Sequence, residues 1–324
     1  MRPGRAVLGV GAAVGLVAAS RARTSRAGTG LSGGDLRGRT AVVTGAGSGI
    51  GRSLALLLAR RGAHVHVADL DADRAEAVTR QIVGEGGSAE AHVLDVTDAG
   101  AVDTFAEQVV AAVGVDLLFN NAGIGHAGAV ADTPLEDWQR LMAVNVMGVV
   151  HGIHAFVPRL LAQGRPAHIV NTASMAGLLP TPGMVPYSTT KAAIVGLSDA
   201  LDAELKPQGI RVSALCPGVI DTDIVRTATM RGEWQERQSG ATEFYATRGT
   251  SPDVVARAAL DAVTHGRVTV PTPRYQVVPP WLLKRWFPGV GRALSALVYQ
   301  RVNARATAAS GASAASRAQS AVNR

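Results

Sequence analysis

The chain has 324 residues, 47% of them apolar, and its 37 glycines and 15 prolines exclude a simple helical bundle and favour a sheet protein with many tight turns. Its single cysteine, Cys216, excludes an internal disulfide. Residues 1–40 carry a net charge of +6 and residues 281–324 carry +7, so a total of +7 leaves −6 on the residues between them. This acidic middle of the chain argues against a nucleic-acid partner.

Residues 1–35 are predicted to form a basic and apolar leader. Arg2 and Arg5 precede an apolar stretch, Ala6–Ala19, which is shorter than the ~20 residues that span a bilayer. A signal peptide has the same layout, but we favour a leader that is disordered or that touches a membrane surface.

Between residues 36 and 275, short apolar runs alternate with longer amphipathic segments. The apolar runs predict buried strands over Thr40–Thr44, Ala63–Ala68, Ala89–Leu94, Val115–Phe119, Ala167–Thr172, Ile210–Leu215 and Arg267–Val270. The amphipathic segments predict helices near residues 50–61, 73–84, 99–113, 134–162 and 186–206. This alternation predicts an α/β fold, a doubly wound parallel sheet of about seven strands with helices on both faces, in a single domain with terminal extensions. In such sheets, ligands bind beyond the carboxyl ends of the strands.

The first predicted strand leads directly into a glycine-rich loop. The loop and its flanks read Thr44-Gly45-Ala46-Gly47-Ser48-Gly49-Ile50-Gly51, and a predicted helix follows. Glycines let the backbone approach a pyrophosphate, whose charge is favoured at a helix N-terminus. A glycine-rich loop alone is a weak signal, but its place between a strand and a helix predicts a dinucleotide site.

Asp69 ends the second predicted strand, 18 residues after Gly51. A carboxylate there can accept hydrogen bonds from the adenosine ribose and would repel a 2′-phosphate, which predicts NAD rather than NADP. The alternative is an ordinary loop aspartate. Asp95 ends the third predicted strand and Asn120-Asn121-Ala122-Gly123 follows the fourth, where the adenine half of a dinucleotide should rest.

These motifs, with those that follow them in order, resemble the short-chain dehydrogenase/reductase family. The later motifs are Asn145, Ser174, Tyr187-Ser188-Thr189-Thr190-Lys191 and Pro217-Gly218 with Thr222, and the resemblance covers residues 36–272. It implies a Rossmann-fold oxidoreductase whose catalytic residues are Asn145, Ser174, Tyr187 and Lys191. The cofactor residues expected here are Gly45, Ser48, Gly49, Ile50, Gly51, Asp69, Asp95, Val96, Asn121, Ala122, Gly123, Tyr187, Lys191, Pro217, Gly218, Ile220 and Thr222.

The spacing of Tyr187 and Lys191 also has a chemical meaning of its own. Four residues apart on a predicted helix, they share one face. A tyrosine with its ordinary pKa near ~10 is a poor base at neutral pH, but the Lys191 ammonium and a positive nicotinamide ring would both lower that pKa. Tyr187 could then exchange a proton with an alcohol while a hydride moves to or from NAD. Ser174 would hold the substrate oxygen.

The resemblance implies further roles and a substrate region. It implies that Lys191 binds the nicotinamide ribose, that Asn145 orders a water and that Thr222 contacts the carboxamide. It also places a mobile lid over the substrate at Asp223–Thr250 and predicts a homodimer or homotetramer. Ser48 and Leu70 stand where NADP-preferring members commonly carry a basic residue, which again favours NAD.

The substrate is predicted to be a hydrophobic alcohol or ketone, such as a steroid, retinoid or fatty derivative. The segment Met175–Pro186, next to the catalytic tyrosine, contains few polar groups. A different class of function stays open, namely a non-catalytic nicotinamide sensor, although such a protein is expected to lose Tyr187 or Lys191. A sugar-nucleotide epimerase shares the Tyr-x-x-x-Lys motif but usually has another glycine spacing and a larger C-terminal domain.

No metal is predicted. His64 and His66 alternate on one strand, but no Cys or acid in the sequence around them completes a convincing set of ligands. Cys216, just before Pro217, is interpreted as a core residue rather than a nucleophile.

Residues 276–324 are predicted to form a basic C-terminal extension. Trp281, Trp286 and Phe287 are interleaved with Lys284 and Arg285, which is typical of an interfacial membrane contact and equally of an extension packed on the domain or on a partner subunit. Three prolines interrupt its amphipathic pattern, and the chain beyond residue 305 is predicted to be disordered. We expect a cytoplasmic location, with peripheral membrane contact through the tails as the alternative.

Overall fold

The computed structural model describes residues 35–297 together with residues 299 and 300. The predicted leader up to residue 34 and the predicted disorder beyond residue 305 lie outside the described residues.

Seven parallel strands form the main sheet. The strands in chain order are β1 Thr40–Thr44, β2 His64–Asp69, β3 Ser88–Val93, β4 Leu117–Asn120, β5 His126–Ala127, β6 Ala167–Thr172, β7 Ile210–Pro217, β8 Thr229–Met230 and β9 Thr269–Thr272. The main sheet has the order β3-β2-β1-β4-β6-β7-β9, while β5 and β8 pair in a small second sheet. The prediction of a doubly wound parallel sheet is confirmed, and each predicted strand overlaps an observed one.

Helices connect successive strands. They are α1 Gly49–Arg60, α2 Ala72–Gly84, α3 Ala99–Val113, α4 Leu135–Met142, α5 Gly148–Gln163, α6 Met175–Leu178, α7 Val185–Leu205, α8 Gln238–Arg248, α9 Pro252–His265 and α10 Arg274–Trp286. The long helix predicted near residues 134–162 is interrupted: a π-helical turn, Ala143–Met147, joins α4 to α5.

Alternate residues of each strand face the two layers of helices, because strand side chains have a period of two. On β1, Ala41 and Val43 are fully buried in the cluster that contains α1, α2 and α9. Val42 between them is fully buried in the cluster that contains α3 and α5. The apolar runs in the sequence therefore reflect strands that are covered on both faces.

The continuous helical stretch Leu135–Gln163 is the one segment among the described residues that is long and apolar enough to cross a membrane. Its side chains Phe156 and Leu160 are 1% exposed and pack against the sheet. Core helices meet the same criteria of length and composition, so this stretch carries no membrane assignment.

Helix α10 crosses the predicted domain boundary between residues 275 and 276. It passes through Pro279 and Pro280 without ending. Val277 is buried and Trp281 packs against the same core cluster, so this part of the extension lies on the domain. The outward side chains Trp286 and Phe287 are exposed. Membrane contact through this surface stays a prediction.

The start of the sheet depends on one buried carboxylate. Asp116, just before β4, accepts a hydrogen bond from the backbone N–H of Thr40 at 2.9 Å and pairs with the Arg39 guanidinium at 2.9 Å. Its side chain is 1% exposed. The carboxylate thereby joins the beginnings of β1 and β4, the two strands that flank the reversal of strand order.

We expect Asp116→Ala to lower the free energy of unfolding by about 2 kcal/mol or more, because it leaves a buried N–H and a guanidinium without their acceptor. Urea denaturation monitored by circular dichroism measures this change. The matched control is Asp103→Ala, which removes an exposed aspartate that pairs with Arg159 and should leave stability nearly unchanged. Equal effects of the two substitutions would contradict the prediction.

Candidate active site

The predicted site residues gather where the strand order reverses. The chain leaves the carboxyl end of β1 toward one side of the sheet and the carboxyl end of the adjacent β4 toward the other. This opens a crevice between the two connections, which is where doubly wound sheets bind ligands.

The glycine loop after β1 has a backbone that only glycine permits. Gly45 and Gly49 have positive φ angles of 62° and 50°. A Cβ atom on Gly51 would collide with the carbonyl oxygen of Gly45. Ser48 precedes α1, and its side chain caps no N–H among the described residues, so the first-turn N–H groups face the crevice uncapped. This shape leaves room for a pyrophosphate, whose binding by Gly45 to Gly51 stays a prediction.

Asp69 lies against this loop. Its Oδ2 accepts a hydrogen bond from the Gly47 N–H at 2.8 Å, and its Oδ1 accepts one from the Asp71 N–H at 3.1 Å. The carboxylate is thus at the predicted place at the end of β2, and it also orders the loop. Its contact with a ribose stays a prediction.

The segment after β4 braces the same loop from the other side. The Asn121 side-chain amide donates to the carbonyl oxygens of Thr44 at 3.0 Å and Gly45 at 3.3 Å. The Thr44 hydroxyl oxygen in turn accepts from the backbone N–H groups of Asn121 and Ala122. The Asn121 side chain, which the sequence predicts to be a cofactor contact, is therefore a support for the loop that would bind the cofactor.

Asp95 and Val96, the predicted residues after β3, make contacts of two different kinds. Asp95 accepts hydrogen bonds from the N–H and hydroxyl of Thr97 at 2.8 and 2.7 Å, which makes it a local turn residue. Val96 lies beside α5, where its carbonyl oxygen contacts the His151 ring nitrogen at 2.9 Å. Contact of Asp95 and Val96 with the adenine half of a dinucleotide stays a prediction.

The segment after β7 passes over the glycine loop. Pro217 ends β7, and the Gly218 N–H donates to the carbonyl oxygen of Thr272 at 2.8 Å. Ile220 is 3% exposed. A Cβ atom on Gly49 would lie 3.1 Å from the Thr222 methyl carbon, so Thr222 stands directly beside the loop. The structure therefore joins residues 217–222 to the crevice, as predicted.

Asn145 lies in the π-helical turn and is fully buried. Its side-chain oxygen accepts from the Ile124 N–H at 2.8 Å, while its side-chain nitrogen donates to the Ile124 carbonyl at 3.0 Å and to the Thr190 hydroxyl at 3.3 Å. Asn145 thus joins the segment after β4 to helix α7. π-helical turns occur frequently at functional sites.

Tyr187 and Lys191 share one face of α7, as their spacing predicts. The Lys191 ammonium donates to the carbonyl oxygen of Thr172, at the end of β6, at 2.8 Å and lies 5.8 Å from the centre of the Tyr187 ring. A Cβ atom on Gly123 would lie 3.1 Å from the Asn145 side-chain oxygen and 3.4 Å from the Lys191 nitrogen. Gly123 therefore adjoins both side chains.

Ser174 completes the cluster. It precedes the short helix α6, and its hydroxyl oxygen accepts from the Ala176 N–H at 3.1 Å. Its hydroxyl also lies near enough to the Tyr187 phenol to lower the pKa of that group. All four predicted catalytic side chains are consequently brought together at the carboxyl edge of β4 and β6.

Burial determines the proton affinities in this cluster. It raises the pKa of Tyr187 to about 12, although the hydrogen bond with Ser174 acts in the opposite direction. It lowers the pKa of Lys191 to about 8. The lowering expected from Lys191 and a nicotinamide ring together is therefore not seen in the protein alone, because loss of hydration disfavours the phenolate. At neutral pH, Tyr187 is a phenol that can donate a proton.

The segment predicted to be a lid contributes residues that the sequence motifs do not identify. Tyr245 of α8 is half-buried, and its phenol is near enough to Tyr187 to raise the pKa of Tyr187 slightly further. The Trp234 ring packs on Gly183, whose φ of 81° and missing side chain make room for it. The only sequence signal for either residue is the presence of aromatic side chains within the predicted lid, Asp223–Thr250.

No acid around His64 and His66 in the sequence completes a ligand set, but the strand register brings one beside them. Glu90 of β3 pairs with His66, and His92 lies one pair further along the same face. An acid and a third histidine therefore do lie beside the first two. The nucleophile role stays excluded for Cys216, because burial raises the pKa of its thiol to about 12.

A family model described as short chain dehydrogenase matches residues 39–232. A protein of Mycobacterium tuberculosis described as a probable oxidoreductase, EphD, is 46% identical over 228 residues, which cover 68% of this chain and 38% of that protein. The chain therefore spans less than two fifths of the length of this curated relative.

Solved structures of similar proteins contain either nicotinamide cofactor. A short-chain dehydrogenase/reductase from Burkholderia phymatum in complex with NAD is 31% identical with a TM-score of 0.74, over 79% of this chain and 96% of that one. A metagenomic short-chain oxidoreductase in complex with NADP is also 31% identical, with a TM-score of 0.60 over 74% of this chain and 97% of that one. Relatives of this fold thus bind NAD or NADP.

We expect Gly123→Ala to lower kcat/KM by about tenfold or more, because its new methyl group would press on the Asn145 oxygen and the Lys191 ammonium. Steady-state kinetics on the purified variant measures the loss. Gly84→Ala is the control, since no described heavy atom lies within 4 Å of a Cβ atom at the end of α2. Unchanged kinetics in Gly123→Ala would show that this contact does not matter for catalysis.

Proposed function

The chain belongs to the short-chain dehydrogenase family of oxidoreductases, and we propose that it transfers a hydride between NAD(H) and a hydrophobic alcohol or ketone. The observation that carries this proposal is the convergence of Ser174, Tyr187 and Lys191 beside a loop that fits a pyrophosphate. The non-catalytic sensor is the less favoured alternative, because the chain keeps the tyrosine and the lysine in hydrogen-bonded positions.

Tyr187 handles the proton. In the oxidative direction, the substrate oxygen loses its proton to the Tyr187 phenolate and the substrate carbon loses a hydride, so that a carbonyl forms. In the reductive direction the Tyr187 phenol returns the proton to the oxygen. A bound nicotinamide supplies or accepts the hydride and, when oxidised, adds a positive charge to the site. Since burial holds the pKa of Tyr187 at about 12, this second cation supports phenolate formation beyond what Lys191 provides.

Ser174 and Lys191 position the reacting groups. Ser174 lies beside the Tyr187 phenol, so its hydroxyl can bind the same substrate oxygen and hold it at the phenol. Lys191 is held by the Thr172 carbonyl at 2.8 Å, which leaves its other N–H donors for a ribose hydroxyl or for water. Asn145, across Gly123 from the ammonium, is well placed to order such a water.

The apolar surroundings of Tyr187 support a hydrophobic substrate. Leu141 and Ala176 are buried against the tyrosine ring, and Ile124 and Met184 pack on the same cluster. The partly buried Ile124 and Met184 are the members of this cluster that substrate atoms next to the phenol could meet, and both side chains are apolar. Trp234, lying on Gly183, extends this apolar wall into the lid.

Asp69 supports a preference for NAD. Its carboxylate lies at the end of β2 beside Gly47, where a 2′-phosphate on the adenosine ribose would meet a negative charge. Leu70 follows it and offers no cation for that phosphate, while Arg74, which also lies beside Gly47, is paired with Asp71 at 3.1 Å.

We expect Tyr187→Phe to lower kcat/KM by about 10²–10⁴-fold, because the proton donor and acceptor is lost while the ring remains. The assay follows reduced-cofactor absorbance with a panel of long-chain, cyclic and short polar alcohols. Wild-type oxidation should favour the hydrophobic members and should accelerate between pH 6 and pH 8, since the phenolate fraction grows as the pH approaches the pKa of Tyr187. The exposed Tyr275→Phe is the control. Full activity in Tyr187→Phe would disprove the mechanism, and a preference for polar alcohols would disprove the substrate class.

We expect Asp69→Asn to shift the ratio of kcat/KM for NADP over NAD upward by about tenfold, because it removes the charge that opposes a 2′-phosphate. The amide oxygen can still accept from the Gly47 N–H, so the glycine loop should keep its shape. Asp73→Asn, in the first turn of α2, is the control for the change in net charge. The same ratio in Asp69→Asn and wild type would contradict the assignment of NAD.

A further inference from the structure

A cluster of imidazole and carboxylate groups lies at the edge of the sheet, apart from Tyr187. His64 and His66 alternate on β2, and Glu90 and His92 alternate on the edge strand β3. In the parallel register, His66 pairs with Glu90, and His92 pairs with Ala68. All four side chains consequently project from one face of the β2–β3 pair.

The distances among three of these groups match a metal site. The His66 Nδ1 lies 2.9 Å from the His92 Nε2 and 3.8 Å from a Glu90 carboxylate oxygen, which is 4.0 Å from the His92 Nε2. A point equidistant from these three atoms is about 2.1 Å from each, the usual length of a zinc–nitrogen or zinc–oxygen bond. The ligand atoms of His64, His66 and Glu90 lie within 4.8 Å of one another, so a small rotation of the His64 side chain would bring it in as a fourth ligand.

The surroundings support the histidine ligands. The His66 side chain is 4% exposed, so little water competes with an ion for its ring nitrogens. The Phe105 ring, 4.9 Å from that of His92, holds this ligand from α3.

We propose that His66, Glu90 and His92, with His64 as the fourth ligand, bind one Zn²⁺ ion that joins β3 to β2. Glu90, whose side chain is 61% exposed, gives an ion access from solvent and contributes a negative charge. Imidazole and carboxylate ligands suit zinc. The role of such a site is structural, because the ion would hold the edge strand β3 against β2. His92 pairs with Ala68, the residue before Asp69, whose carboxylate orders the glycine loop.

The test is a zinc titration of chelator-treated protein that carries no polyhistidine tag, in competition with a chromophoric chelator. We expect the wild type to bind one Zn²⁺ with a Kd of about 1 µM or lower and Glu90→Gln to bind it about tenfold more weakly. His92→Gln should lose binding to a similar or larger extent. His154→Gln, which replaces an exposed histidine of α5, is the matched control and should bind as the wild type does.

Two further measurements separate a ligand role from a folding defect. Because Glu90 is exposed, its substitution should leave circular dichroism and cofactor binding unchanged. Zinc should raise the Tm of the wild type and leave that of Glu90→Gln nearly constant, since only an ion that binds the folded site stabilises it. Wild-type binding weaker than about 10 µM, or equal binding by wild type, Glu90→Gln and His92→Gln, would overturn the proposal.

Discussion

A buried ammonium imposes the geometry on which the catalytic cluster depends. Lys191 is only 3% exposed, so polar groups of the chain must replace most of its hydration. The Thr172 carbonyl does so from β6, and Asn145 lies close by across Gly123. Burial nevertheless lowers the pKa of Lys191 to about 8, which means that its charge is maintained at the expense of stability. The strand, the π-helical turn and α7 therefore have to keep their mutual positions for the amine to stay protonated.

The cofactor side of the crevice depends on hydrogen bonds rather than on charge. The glycine loop has little side-chain material to hold it, and two polar side chains replace that packing from opposite sides. Asp69 accepts from the Gly47 N–H, and Asn121 donates to the Thr44 and Gly45 carbonyls. A loop that is ordered in advance loses less conformational entropy when a dinucleotide binds. The same aspartate thus couples the shape of the loop to the discrimination between cofactors.

The sequence predicts the strands and the catalytic face well because both depend on local patterns. Val42 and its neighbours form an apolar run because helices cover both faces of the sheet. The spacing of Tyr187 and Lys191 by itself places both residues on one face of a helix. The failures have non-local causes. The raised pKa of Tyr187 comes from the desolvation of a folded interior, and Glu90 meets His66 only through the register of two strands separated by a helix. Likewise, the passage of α10 through Pro279 is decided by the packing of Val277 and Trp281 on the domain.

The π-helical turn has an evolutionary consequence for the helix that contains it. Each residue of an α-helix rotates the following side chain by about 100°, so adding or deleting one residue reorients everything beyond it. In the stretch Leu135–Gln163, such a change would turn Asn145 away from Ile124 or Phe156 away from the sheet. The surplus residue of Ala143–Met147 reconciles these two demands. Descendants of this chain can exchange surface residues along the helix, but their insertions and deletions should accumulate in the flanking loops.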